Sequence, residues 1–295
     1  MILSEPKLKK RSDKSLPYEN KLFENPLNFF NNYRKSSVHF GFHNNISTAI
    51  KLLVSDEPIS NLKNYFSLIQ SLNELYPNQS YLQEFNFYKR HGINFEFLII
   101  YDQVEWKSEN NYVLSIDFGS SASSFYDLVK SIKLIHQKDY QKRLVYLFGI
   151  NRTNKPLIYS TTEFEGYLSD ISIKTCNRND ITLFPGDVDL LTFDQNYNVI
   201  GLYEFKKHTK FGDGQIENQS FKKYIHQDRK KYQGLALLAQ KLNKNFFYNL
   251  IYSTKIGEES KLKVEKIDRD LNLIQEMIYT YNKMDDIIKI IHSKI

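Results

Sequence analysis

The stretch Phe184-Pro185-Gly186-Asp187-Val188-Asp189-Leu190-Leu191, followed by Gly201-Leu202-Tyr203-Glu204-Phe205-Lys206, decides how this chain folds. Both runs are apolar enough to be strands, and both carry acids where an isolated charge is costly to bury. Side chains two apart on a strand share a face. Asp187 and Asp189 therefore point one way and Val188 and Leu190 the other, while Glu204 and Lys206 share a face with Tyr203 and Phe205 behind them. Paired, the two strands bring two or three carboxylates and one ammonium group to a single patch of sheet. A hard divalent cation suits such a donor set.

Outward from this core, Asp194-Gln195-Asn196-Tyr197-Asn198 reads as the hairpin loop joining the strands. Downstream, Tyr232, Leu235, Leu238, Ala239 and Leu242 recur at helical spacing, which predicts a helix over 219–243. Its first half is basic: Lys222, Lys223, Arg229, Lys230 and Lys231. Phe246–Tyr252 reads as a further strand, and 270–293 as a C-terminal amphipathic helix. Upstream, Thr162-Glu163-Phe164-Glu165 fits a capping box, with Phe164, Leu168 and Ile171 on one face of the helix it opens. The order is helix, strand, strand, helix, strand.

That order, with those charges, resembles the core of the PD-(D/E)XK nuclease superfamily over roughly 160–255. Gly186-Asp187-Val188-Asp189 matches the G-x-h-D form, which makes Asp189 the metal-binding aspartate with Asp187 as its competitor. Glu204 and Lys206 match the (E/D)-x-K triplet. A glutamate from the preceding helix often completes such a site; Glu165 is best placed, with Glu163 next. The resemblance implies an α/β (α+β) protein with a restriction-endonuclease-like mixed central sheet flanked by helices, preceded by a mixed α/β region. It implies a Mg2+-dependent nuclease, with Mn2+ as a substitute, most readily a DNA endonuclease. Asp189, Glu204 and the Phe205 carbonyl would hold the metal, and Lys206 would assist the attacking water. Arg229, Lys230 and Lys231 would meet backbone phosphates; their plainer role is an exposed basic helix face. Cutting both strands of a duplex with one site per chain calls for a homodimer. The alternative is a catalytically silent nuclease fold that binds nucleic acid or serves as a scaffold.

A simple ion pair between Glu204 and Lys206 on a solvated strand is opposed by Val199, Ile200, Leu202, Tyr203 and Phe205, which make that strand central. The net charge of +6 is compatible with a polyanionic partner without requiring one. A single cysteine, Cys176, excludes an intramolecular disulfide and a cysteine-based zinc cluster. With no apolar run long enough to span a bilayer and no secretory signal, the expectation is a cytoplasmic protein without a membrane partner.

Three parts are expected: a basic arm over 1–20, a mixed region over 21–155, and the nuclease-like domain over 156–295. In the mixed region, Ile50, Leu53, Leu62, Tyr65, Phe66, Ile69, Leu72 and Leu75 suggest helices over 45–76, divided at Pro58. Phe95–Tyr101 and Tyr112–Phe118 suggest a hairpin, 123–137 a helix, and Arg143–Ile150 a strand. No internal repeat is visible. Ile116-Asp117-Phe118-Gly119-Ser120-Ser121 resembles the first phosphate loop of actin-like ATPases, but it lacks a partner loop, so a strand ending in a turn is the better reading. His39 and His43, four apart, have no obvious acidic or cysteine partner and read as satisfied or surface histidines.

Overall fold

The computed structural model describes residues 2–4, 34–43, 46–59, 65–101, 112–117, 125–148, 183–208, 216–253 and 260–281, with residues 286 and 290. The protein is mixed α/β, and its chain divides into two compact units, 1–6 with 38–187 and 7–37 with 188–295. The expected boundary near 155, the capping-box helix with Glu163 and Glu165, and the Gly119-Ser120-Ser121 turn lie outside the described residues. No helix among the described residues is long and apolar enough to cross a membrane.

In the first unit, β2 (Arg34–His43) pairs antiparallel with β3 (Ile46–Ser55). Helices α1 (Tyr65–Leu75) and α2 (Ser80–Arg90) then carry the chain to β4 (Ile93–Tyr101), which lies parallel to β3. A meander follows, with β5 (Tyr112–Asp117) antiparallel to β4 and β6 (Ile132–His136) antiparallel to β5. The short β1 (Leu3–Ser4) pairs with the end of β3. Helix α3 (Phe125–Ser131) precedes β6, and α4 (Gln137–Phe148) follows it.

The second unit repeats this scheme. β7 (Leu183–Phe193) and β8 (Val199–His208) form an antiparallel hairpin; α5 (Phe221–Lys241) crosses to β9 (Phe246–Ser253), parallel to β8. β10 (Ser260–Asp268) and β11 (Leu273–Tyr281) complete an antiparallel meander. One sheet face buries Leu190, Tyr203, Phe205, Tyr248, Leu250, Tyr252, Leu262 and Val264 in a single apolar cluster. The residues between them on β8 to β10 point to the opposite face, where α5 lies over the sheet.

The β7–β8 and β10–β11 hairpins turn on the same chemistry. Asp194 Oδ1 accepts from the amides of Asn196 and Asn198, both at 2.8 Å; Asp268 Oδ1 accepts from those of Asp270 at 2.9 Å and Asn272 at 2.7 Å. In each turn the residue before the closing asparagine takes a positive φ, Tyr197 at 60° and Leu271 at 65°.

Four expectations are corrected. Residues 46–55 form β3 rather than a helix: almost every side chain of this β-branched-rich run is buried, so the alternation that marks a half-exposed strand is missing. The helix expected over 123–137 stops at Ser131, and Ile132–His136 pairs with β5 as β6. Arg143–Phe148 belongs to α4; a short apolar run has no period by which to distinguish strand from helix. Leu273–Tyr281 is β11, not helix, because the Asp268–Asn272 turn folds it back onto β10. The β4–β5 and β7–β8 hairpins, α5 and β9 match their expectations.

Candidate functional site

Strand β8 sits between β7 and β9, and this central position explains how acidic and basic side chains come to be buried together. Leu190 lies opposite Tyr203, and both belong to the apolar cluster. Their neighbours Asp189 and Glu204 therefore leave on the other face. The paired register ends at Leu190, and beyond it Asp189 Oδ2 accepts a 2.7 Å hydrogen bond from the amide of Phe205. The aspartate thus holds the main chain of β8 between the two residues of the E-x-K triplet.

Glu204 is only 1% exposed. Its Oε1 lies 3.1 Å from Lys206 Nζ and 2.6 Å from Lys231 Nζ. Neither carboxylate oxygen receives a well-directed hydrogen bond among the described residues, so the two ammonium groups hold this charge by proximity alone. Lys206 Nζ also donates to Asp228 Oδ2 at 3.0 Å and lies 5.7 Å from the ring centroids of both Tyr224 and Tyr232. Burial works to lower the Lys206 pKa, but Glu204, Asp228 and Asp189 outweigh it and hold the ammonium above its ordinary range. Lys206 is consequently charged at any working pH. Burial also pushes up the phenol of Tyr232, reinforced by Glu204, and that of Tyr224.

Anchoring of α5 delivers its part of the cluster. Ser220 caps the helix by accepting from the Lys222 amide, and Glu265 Oε2 on β10 accepts from the Phe221 amide at 2.8 Å. Lys263 Nζ donates to the carbonyls of Glu217 at 2.9 Å and Gln219 at 2.6 Å, tying the approach to the helix to the same strand. Lys261 adds an ion pair to Glu217. With its first turn fixed, α5 presents Tyr224, Asp228, Lys231 and Tyr232, at i, i+4, i+7 and i+8, toward β8. The helix departs from helical geometry at Asp228, with φ −113° and ψ 28°. Further along the sheet, Glu204, Asn249 and Glu265 form one cross-strand row, in which Asn249 Nδ2 donates to Glu265 Oε2 at 2.8 Å and Tyr232 Oη to Asn249 Oδ1 at 3.3 Å.

The structure thus brings Asp189, Glu204 and Lys206 together on one face. Phe205 contributes its amide, while its ring is buried in the opposite cluster. Of the three basic residues expected to meet phosphates, Arg229 is exposed. Lys231 turns inward to Glu204, with a side chain only 13% exposed, because it shares the inner helical face with Asp228. The side chains of Asp187 and Lys230 lie outside the described residues, and Asp117, at the end of β5, pairs with Arg143 at 3.0 Å. Asp228 and the inward role of Lys231 escaped the sequence reading, although their spacing from Tyr224 and Tyr232 marks the same helical face. Among the described residues, no group of three or more His, Cys, Asp or Glu side chains is gathered closely enough to hold a metal; the site offers two acids, Asp189 and Glu204, with a third, Asp228, on the far side of Lys206. No protein-family model, curated protein or solved structure matches the chain.

Proposed function

We propose that this cluster hydrolyses phosphodiester bonds with Mg2+, most readily in DNA, as a restriction-endonuclease-like nuclease. One observation carries the reading: a fully buried glutamate, Glu204, with no directed hydrogen bond to either oxygen, shares a face with Asp189 and with the lysine two residues along the strand. The two ammonium groups beside Glu204 offset part of the cost of burying its charge, but without directed hydrogen bonds the compensation is incomplete, which a functional site tolerates.

The residues fit a magnesium ion. Mg2+ is commonly held by one or two carboxylates together with waters and substrate phosphate oxygens, so Asp189 and Glu204 suffice, with the Phe205 carbonyl as a further donor. Mn2+ would substitute. Bound there, the ion supplies Lewis-acid activation of water and of the phosphate. Asp189, fixed by the Phe205 amide, and Glu204 would hold the ion. Lys206 neutralises charge developing on the phosphate and orients the attacking water. The exposed Arg229 meets a neighbouring backbone phosphate. Two copies of the chain would be needed to cut both strands of a duplex.

The 2.6 Å approach of Lys231 to Glu204 favours a second reading, a silent nuclease fold that binds nucleic acid with its acids permanently neutralised. Incubation with plasmid, single-stranded DNA and RNA, in Mg2+ and in EDTA, separates the two. The nuclease reading expects Mg2+-dependent cleavage that is lost in Lys206→Ala with affinity for nucleic acid retained. Tight binding without cleavage in any divalent metal decides for the silent fold.

A further inference from the structure

Away from the cluster on β8, we infer that the outer edge of β11 is a self-association surface, on which a second copy of this chain adds its own β11, antiparallel and centred on Ile278. Among the described residues β11 has β10 on one side and no strand on the other. Such an edge carries a row of amide and carbonyl groups ready to pair with another strand, and proteins guard it with a short strand, lysines or proline. The first unit's meander does this: its outer strand β6 has five residues, carries the exposed Lys133 and lies between the exposed Lys130 and Lys138. β11 has nine residues and no lysine, arginine or proline. Its one charge, in a chain that is 25% charged, is Glu276, paired with Lys263 of β10 at 2.9 Å. Glu276, Ile278 and Thr280, which alternate onto one face, are all exposed, Ile278 by 39%.

The residues of this edge select their own copy. The ladder to β10 is regular from Gln275 to Tyr281 and shifts at Ile274, so the regular stretch is 275–281 with Ile278 at its middle. Two antiparallel copies overlapping over that whole stretch set Ile278 opposite Ile278, Met277 opposite Tyr279 and Glu276 opposite Thr280. The exposed isoleucine is then covered by its twin, and each glutamate meets a hydroxyl rather than the other glutamate. A parallel pairing in register would instead set the two glutamates side by side. Because the same patch serves both copies, the contact closes at two. A contact about 24 Å long is small beside the interfaces of permanent dimers, so this dimer should dissociate on dilution.

Sedimentation velocity of the full chain across a dilution series, without metal or nucleic acid, tests this. The unaltered chain should pass from dimer to monomer on dilution. Thr280→Glu sets like charges opposite each other twice and should weaken the dimer about tenfold or more. Thr280→Lys, at the same exposed position, sets a lysine opposite each Glu276 and should dimerise at least as tightly as the unaltered chain. Leu134→Glu, on the exposed side of β6, should leave the equilibrium unchanged. A chain that is monomeric at every concentration, or that assembles beyond two copies, overturns the inference. So does a dimer that Thr280→Glu and Thr280→Lys affect alike. No variant touches Asp189, Glu204 or Lys206, so failure here leaves the metal reading standing.

Discussion

The two units follow the same path, hairpin, helical crossover to a parallel strand, then meander, yet they treat a buried charge at the matching position in opposite ways. Lys51 stands four residues before the end of the β3–β4 ladder, and Glu204 four residues before the end of the β8–β9 ladder. Each meets a side chain of opposite sign from the crossover helix, Glu84 at 2.9 Å in the first unit and Lys231 at 2.6 Å in the second. In the first unit the rest of the row is apolar, Phe97 and Ile116, and the Lys51–Glu84 pair is a directed hydrogen bond closed off from solvent. In the second unit the row continues as Asn249 and Glu265, and Glu204 gathers two lysines without a directed bond to either. The same architecture therefore supports a satisfied structural pair in one unit and an under-satisfied cluster in the other. The proposed chemistry rests on the second.

The largest expected effect breaks this comparison most sharply. Asp189→Asn and Glu204→Gln should each lower Mg2+-dependent cleavage by about 100-fold or more, as removal of a catalytic electrostatic group does, whereas Glu84→Gln should leave the rate per folded molecule unchanged; gel assays on plasmid check both. Stability should show the reverse. Lys51→Met strands Glu84 in the core and should cost about 3–5 kcal/mol, measured by chemical denaturation, while Lys51→Met with Glu84→Leu should recover most of it. Replacing Asn249 by Leu removes the donor to Glu265 and the acceptor for Tyr232, and should cost about 1–3 kcal/mol.

The smallest effect sharpens the first unit's own acidic site. Glu96 lies opposite Asp117 on the face covered by α4, 3.1 Å from Arg143, with Ser115 donating to it at 2.6 Å. Burial nonetheless raises its pKa, with Arg143 and Ser115 opposing. A raised carboxyl binds its proton more tightly in the folded state, so its contribution is full below the unfolded value and is lost as pH rises through the folded one. Glu96→Gln should therefore gain stability relative to the unaltered chain as pH rises from about 4 toward neutrality. A pH-independent difference in denaturation midpoints would contradict this.

Much of the site was legible because strand periodicity is strict: with a period of two, Asp189, Glu204 and Lys206 could fall on one face only if the two strands paired as a hairpin, and they do. The helix contribution was less legible. Lys231 read as part of a basic surface because charge is ordinarily solvated, and only the packing of Tyr232 and Leu235 shows that its turn faces the sheet. Strands buried on both faces, such as β3, lose the alternation that identifies them. β10 and β11 were missed although Asp268-Arg269-Asp270-Leu271-Asn272 repeats the Asp-x-Asn/Asp-x-Asn spacing of the turn at 194–198 that was read correctly. The topological repeat is invisible in sequence because matching positions share burial, not residue type: Lys51 stands where Glu204 does.

The central claim is that the buried face of β8 is a metal site, and crystals soaked in Mn2+ address it most directly through anomalous scattering. The account predicts a single strong peak beside the Asp189 and Glu204 carboxylates. No peak at saturating Mn2+ would contradict it.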